Sequence, residues 1–376
     1  MVNLLHIANW YPSKPTPHQA PWIKNQVDAL PKDQVHNVLY HLQINIGGPS
    51  ITTGTNPDST SYILIGFPWQ IWRVIEWLSC ILVLYVLLKE RKNKYDLVNF
   101  HIAYPNLTYI KLLKKLIKCP ILITEHWSAY HFNFNVKDIS KLTRIKNIFH
   151  QNIPVMAVSG ALVNDIKTFS GADFPSFVVP NVVDTNLFNF DPAIEKEENT
   201  FLMVSQWKWP KDPFTVIRAW KEVIIYRPDA LLKIGGYGPQ WSEMKSLVKD
   251  FDLESNIHFK GLLSKEQVAE EMKRARAFVH CSEYETFSVV CVEALCCGTP
   301  VIASAVGGIN SHIDNENGFL IESNTPGTWS GKIINVFDKE TDALEIALRS
   351  KTKFSADKVG IKYFKNIVKI IDSTQR

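Results

Sequence analysis

No stretch of this sequence is long and apolar enough to span a bilayer. The most hydrophobic segment, Ile71 to Leu88, is interrupted by Arg73 and Glu76, leaving twelve uncharged residues from Trp77, short of the ~20 that a spanning helix needs. Charge of one sign is also scarce. A formal net charge of +4 on 376 residues gives no general attraction to nucleic acid. The six cysteines, Cys80, Cys119, Cys281, Cys291, Cys296 and Cys297, include no Cys-x-x-Cys spacing, so they read as reduced core residues rather than zinc ligands. There is no G-x-G-x-x-G, no repeat of 20 to 50 residues and no low-complexity tract. MVNLLHIANWYPSK has neither a basic leader nor a cleavage site, and a cytoplasmic protein with reduced thiols is expected.

What is present is a well-packed globular composition, 46% hydrophobic and 21% charged, in a chain whose length suggests two domains. Short β-rich runs alternate with longer amphipathic ones. In the first half they are Val2–Ala8, Asn37–Leu42, Tyr62–Phe67, Leu97–Ile102, Pro120–Thr124, Pro154–Ser159 and Phe177–Pro180. In the second half they are Phe201–Ser205, Leu231–Gly235, Ile257–Lys260, Ala277–Cys281, Pro300–Ala303 and Gly318–Ile321. This alternation indicates an α/β protein of two doubly wound domains with parallel sheets, separated by the polar stretch Ile194–Thr200. Ligands of such sheets bind at the carboxyl ends of the strands, so a cleft between the domains is the expected site.

Residues 285 to 308, ETFSVVCVEALCCGTPVIASAVGG, pose a specific problem. The pattern reads as a loop, a helix over Phe287–Cys297 capped by Ser288 or Thr286, and a stop at Gly298-Thr299-Pro300. That helix is apolar nearly all round and must be buried, yet it carries Glu293. An unpaired carboxylate there costs several kcal/mol or protonates. Glu293 therefore either pairs with a neighbouring backbone or lysine, or points into a cleft. With Glu285 at the helix mouth, two carboxylates and the free N–H groups of the helix start suit a ligand with an anionic middle flanked by hydroxyl-bearing parts, such as a nucleoside diphosphate sugar.

Glu-x7-Glu followed by Gly-Thr-Pro-Val-Ile-Ala and Val-Gly-Gly resembles the signature of the family 4 retaining glycosyltransferases (GT-B fold, glycosyl transferases group 1). Further likeness lies in VVPNVVDTNLF, VSQWKWPKDP, IGGYGP, YDLVNFHIAYPN, ITEHWSAY and FSADKVGIKYFKNIVKII, so it covers nearly the whole chain. The resemblance implies two Rossmann-like domains, an acceptor-binding one over residues 1–180 and a nucleotide-sugar-binding one over 181–350. A helix over 351–376 crosses back to the first. It makes His126, Glu285 and Lys211 catalytic, with Lys211 neutralising the diphosphate. Glu293 becomes the ribose ligand, Phe287, Ser288 and Val289 supply backbone N–H groups, and Gln206, Gly236 and Gly238 complete the donor site. Tyr11, Pro12 and His101 fall on the acceptor side. Three departures stand out. Gln206 occupies a position where arginine is common, leaving Lys208 as the candidate replacement, the usual Gly-Gly is missing from NWYPSKPTPHQAPW, and VGGINSHI has Ser311 where an acidic residue is frequent.

The implied reaction is retaining transfer of a sugar from a nucleotide donor, a UDP-sugar in preference to a GDP-sugar, to a glycan or lipid-linked acceptor in surface polysaccharide synthesis. It implies no metal, no cofactor and no nucleic acid. Two carboxylates also suggest a glycosidase pair, but the resemblance gives Glu293 to ribose and leaves no nucleophile. The alternatives are a nucleotide-sugar 2-epimerase of the same fold and a catalytically silent partner subunit. Residues 69–94 and 107–118 combine Trp69, Trp72 and Trp77 with basic clusters. Lys111, Lys114, Lys115 and Lys118 fall on one side of a helix whose other side is Ile110, Leu112, Leu113, Leu116 and Ile117. Contact with the inner face of a membrane is expected there, against a plain core-helix reading.

Overall fold

The computed structural model describes residues 1–374 and divides the chain into two units, Met1–Val182 with the chain from Ala356 onward, and Val183–Ser355. The boundaries expected from sequence were 180 and 350; the last two residues of the expected 351–376 helix lie outside the described residues. The first unit runs β1 (Val2–Ala8), α1 (Pro21–Asp28), β2 (Val35–Ile46), β3 (Ser50–Thr55), β4 (Ser61–Phe67), α2 (Trp72–Lys89) and β5 (Leu97–His101). It continues through α3 (Ile110–Leu116), β6 (Ile121–Glu125), α4 (Ile139–Phe149), β7 (Val155–Ala157), α5 (Gly160–Ser170) and β8 (Ser176–Val178). The second unit has β9 (Glu197–Gln206), α6 (Pro213–Tyr226), β10 (Leu231–Tyr237), α7 (Trp241–Asp250), β11 (Ile257–Gly261) and α8 (Lys265–Arg274). After these come β12 (Ala275–His280), α9 (Val289–Cys296), β13 (Val301–Ser304), β14 (Gly318–Ile321), α10 (Pro326–Phe337) and α11 (Ala343–Phe354). The helix α12 (Ala356–Thr374) returns to the first unit.

Both sheets are doubly wound. The first has the order β3-β4-β2-β1-β5-β6-β7-β8, with β3 antiparallel on β4 and the other described pairings parallel. The second, β11-β10-β9-β12-β13-β14, is parallel throughout. β5 and β6 are buried on both faces, as parallel strands covered by helices must be. In the second unit the chain winds outward from β9 to β11, then restarts at β12 on the other side of β9. The winding reverses between β9 and β12, and the carboxyl ends of strands at such a reversal are where sheets of this kind bind ligands. α12 closes the core of the first unit with Val359, Tyr363, Ile367 and Ile370 against Leu4, Leu97, Leu122 and Met156. Gly360 permits this, because a Cβ there would collide with Ala29 O.

Four local expectations need correction. The hairpin strand β3 was missed, because its exposed sequence SITTGT shows no apolar side. The polar linker Ile194–Thr200 is half strand: β9 begins at Glu197, whose carboxylate takes Lys233 Nζ at 2.8 Å. Glu76, which interrupts the apolar segment, is fully buried in α2 and receives Arg144 Nε at 2.6 Å and Tyr104 OH at 3.2 Å. Its charge is thus met within the domain. The basic helix is shorter than expected and its apolar side is split: Ile110, Leu113 and Ile117 are buried, whereas Leu112 and Leu116 face solvent.

Candidate active site

In the second unit two loops are stitched together at the switch between β9 and β12. Asp212 N donates to Cys281 O (3.1 Å), Glu283 N to Pro210 O (2.8 Å) and Ser282 Oγ to Pro210 O (3.1 Å), and Lys211 bridges to Ser282. These bonds bring Lys211 Nζ into contact with Glu285 Oε1. The same oxygen meets His280 Nε2 at 2.7 Å. Burial favours the neutral amine and pushes Lys211 down to about 8; the Glu285 carboxylate against it acts in the opposite direction. Burial, then the charge of Lys211, holds His280 well below the usual histidine range. Lys208 is exposed and close enough to add repulsion at Lys211.

The loop carrying Glu285 is fixed from behind by Gly307 and Gly308. Gly308 N donates to Glu285 O at 2.8 Å, and a Cβ on either glycine would strike the backbone oxygen of Glu285 or Thr286. Phe287 is buried against His312 and Phe354, with ring centroids 4.4 and 5.8 Å away, so its side chain is an anchor. Ser288 precedes α9, but not as the expected cap. Its backbone is left-handed (φ 64°), and its hydroxyl donates to Cys291 Sγ at 3.2 Å instead of accepting from the first turn. Uncapped N–H groups of that turn remain for a ligand.

Beside this cluster a pocket of about 340 Å³ is lined by Val204, Ser205, Gln206, Gly236, Tyr237, Leu262, Leu263 and Val290. Gly236 (φ 112°) and Gly238 (φ 150°) pack directly on the backbone oxygens of Ser205 and Trp207, where no side chain fits. Glu293 lies one turn beyond Val290 on α9 and is partly buried. Its carboxylate has no hydrogen bond or ion pair among the described residues. Burial raises its carboxyl to about 7, against a lesser pull from Lys265.

Of the residues predicted on the first unit, His101 and His126 stand at the ends of neighbouring strands, close enough to interact electrostatically. His101 ends β5 and meets His6 Nδ1 at 3.0 Å; Asn99 Nδ2 stands 3.2 Å from the same His101 Nε2 and donates to Tyr363 OH at 2.6 Å. His126 follows β6, buried and pushed down to about 3 by desolvation. Neither of its ring nitrogens finds a partner in hydrogen-bond geometry, although Asn181 is near enough to favour the charged form. Tyr11 and Pro12 lie against the β3–β4 hairpin, where Asn56 Nδ2 donates to Pro12 O at 2.9 Å. Sequence reasoning missed His280 and Glu125. Glu125 is buried beside His126, accepts from Ala103 N at 2.7 Å and Tyr130 OH at 2.5 Å, and is raised by burial to about 7. Both are polar residues ending buried strands, the signal that could have flagged them. Asp250 and Asp252 have an Asp-x-Asp spacing, but they lie at the end of α7, before β11. No group of three potential metal ligands occurs among the described residues.

With this geometry in place, comparison with known proteins becomes informative. Residues 184–353 match the family of the glycosyl transferases group 1. The match lies within the unit that holds Lys211, Glu285 and Glu293. The N-acetyl-alpha-D-glucosaminyl L-malate synthase of Bacillus anthracis is 26% identical over 263 residues, 67% of this chain and 68% of that protein. Sucrose-phosphate synthase of Thermosynechococcus elongatus superposes with a TM-score of 0.77 at 17% identity, over 99% of this chain and 100% of that one. Anabaena HepE in complex with UDP and glucose gives 0.72 at 16%, over 98% and 100%. These structures establish the GT-B fold, two Rossmann-like α/β domains.

The raised carboxyl of Glu293 has a testable consequence. Its folded value of about 7 exceeds the ordinary 4.5, so between those pH values the folded state binds more protons than the unfolded one, and stability falls as pH rises through the window. Glu293→Gln removes this fall. Denaturant melts at pH 5 and pH 8 should show the variant gaining about 1–2 kcal/mol on wild type at the higher pH, after discount for partial exposure. An unchanged difference would show Glu293 to be well solvated.

Proposed function

We propose that the chain is a retaining, metal-independent glycosyltransferase that moves a sugar from a nucleoside diphosphate to a glycan or lipid-linked acceptor in surface polysaccharide synthesis. The observation that carries this reading is the cluster at the β9–β12 switch. It sets an ammonium and a carboxylate held by two donors near the open N-terminus of α9, a helix that carries Val290 into the neighbouring pocket and, one turn on, the unpaired carboxylate of Glu293. An anionic diphosphate suits Lys211 and the α9 N–H groups. Vicinal ribose hydroxyls suit Glu293, because their donors would satisfy a carboxylate that the protein leaves unpaired.

The chemistry is one of charge placement. As the bond from the anomeric carbon to the diphosphate oxygen breaks, negative charge grows on the leaving group, where Lys211 and the helix N-terminus stand. The acceptor oxygen attacks the same face, and its proton passes to the departing phosphate. A carboxylate engaged by two donors is a poor nucleophile, so Glu285 is assigned to a sugar hydroxyl. The relation to relatives favours a UDP-sugar: HepE is described with UDP and with UDP-glucose.

Titration calorimetry with UDP, GDP and ADP tests the donor site. One nucleotide should bind, and Glu293→Ala should lose about 1–3 kcal/mol of that affinity. Binding by none would favour the silent-subunit reading. Conversion of a free sugar nucleotide to its epimer would favour the 2-epimerase.

An acceptor at a membrane surface is supported by one exposed row of side chains. Along α2, Trp77, Ile81, Tyr85 and Leu88 are 56, 38, 51 and 58% exposed and fall on one helical ridge, an arrangement unusual on a face meant for water. Lys89, Arg91, Lys92 and Lys94 follow at its end. Among the described residues no helix is long and apolar enough to cross a membrane, so the ridge would lie on the surface. Co-sedimentation with phosphatidylglycerol vesicles, weakened by salt and by Trp77→Ser and absent with phosphatidylcholine, is the expected result. Equal failure with both lipids would contradict it.

A further inference from the structure

Two donors converge on Glu285 Oε1, and they differ in how firmly they are held. Lys211 Nζ ends a long stem on the loop between β9 and α6. His280 is the last residue of β12, its side chain 3% exposed and its ring stacked near Phe278 at 6.3 Å and 17°. The ammonium can swing towards an anion bound at the start of α9. The imidazole, fixed by the strand, cannot. A carboxylate in this buried setting that lost Lys211 with nothing in its place would be left poorly compensated.

We propose that His280 is a positioning residue: it holds Glu285 Oε1 in place while Lys211 passes from Glu285 to the diphosphate, leaving Glu285 Oε2 to meet a sugar hydroxyl. This rests on the transferase reading above. A carboxylate only accepts, so the hydrogen bond requires the His280 tautomer with its proton on Nε2. Burial and the neighbouring ammonium favour the neutral ring that provides it. No proton need move: one ion pair is exchanged for another while the His280 bond persists. The charged groups facing the ring are Lys211 and Glu285.

Two variants separate the bond from bulk packing. His280→Leu keeps apolar volume without a donor, and His280→Gln offers an N–H near the position of Nε2. UDP affinity should stay within about twofold for both. With a panel of UDP- and GDP-sugars, kcat should fall roughly 10- to 100-fold in His280→Leu, the range for one hydrogen bond to a charged group, and recover most of the way in His280→Gln. A second arm needs no turnover. In a double-mutant cycle of unfolding, His280→Leu should cost clearly less when combined with Glu285→Ala than alone. Additive costs, or equal kcat for the Leu and Gln variants, would overturn the proposal. A wild type inert towards every sugar nucleotide contradicts the transferase reading itself, and the cycle then still decides whether His280 holds Glu285.

Discussion

The contact between Lys211 and Glu285 is the interaction on which the candidate site depends. It joins the loops that leave β9 and β12, the strands between which the winding of the second sheet reverses. Sheets of this kind bind ligands at such a reversal, and here a lysine, a glutamate and a histidine meet there. The backbone bonds of Pro210, Asp212, Cys281 and Glu283 fix the two loops before any ligand arrives. Positioning of this kind is what electrostatic catalysis needs, because donors already in place require little reorganisation when charge develops.

Three other carboxylates show how differently the same chemical problem is solved. Glu76 is buried and answered by Arg144 and Tyr104. Glu125 is buried and answered by Tyr130 and backbone N–H groups. Glu293, on an apolar helix, is answered by nothing within hydrogen-bond distance among the described residues, and burial raises it towards neutrality. The first two are satisfied parts of a fold. The third stands where a carboxylate reduces stability unless something else arrives, the usual mark of a residue kept for a ligand.

Most of the architecture was legible because parallel sheets demand strongly apolar strands. β5, β6, β12 and β13 show it in runs such as LVNFH and AFVH. The exposed hairpin strand β3 carries no such pattern and was invisible. Glu293 was legible from a single contradiction, a charge on a helix with no polar face. Ser288 was not: its left-handed backbone follows from how the loop rests on Gly307 and Gly308, a tertiary constraint. His280 carried the signal of a polar residue ending a buried strand, but its partner was hidden, because Lys211 comes from the loop after the strand beside it. The role of Glu76 was hidden for the same reason, its partner lying 68 positions away.

The central claim is that Lys211 receives a diphosphate. The most direct measurement is the affinity of wild type and Lys211→Ala for UDP against uridine, with GDP against guanosine in parallel. The account predicts that wild type binds the nucleoside diphosphate far more tightly than the nucleoside, and that Lys211→Ala removes most of the difference while leaving nucleoside binding unchanged. A diphosphate preference that survives the loss of Lys211 undiminished would contradict it.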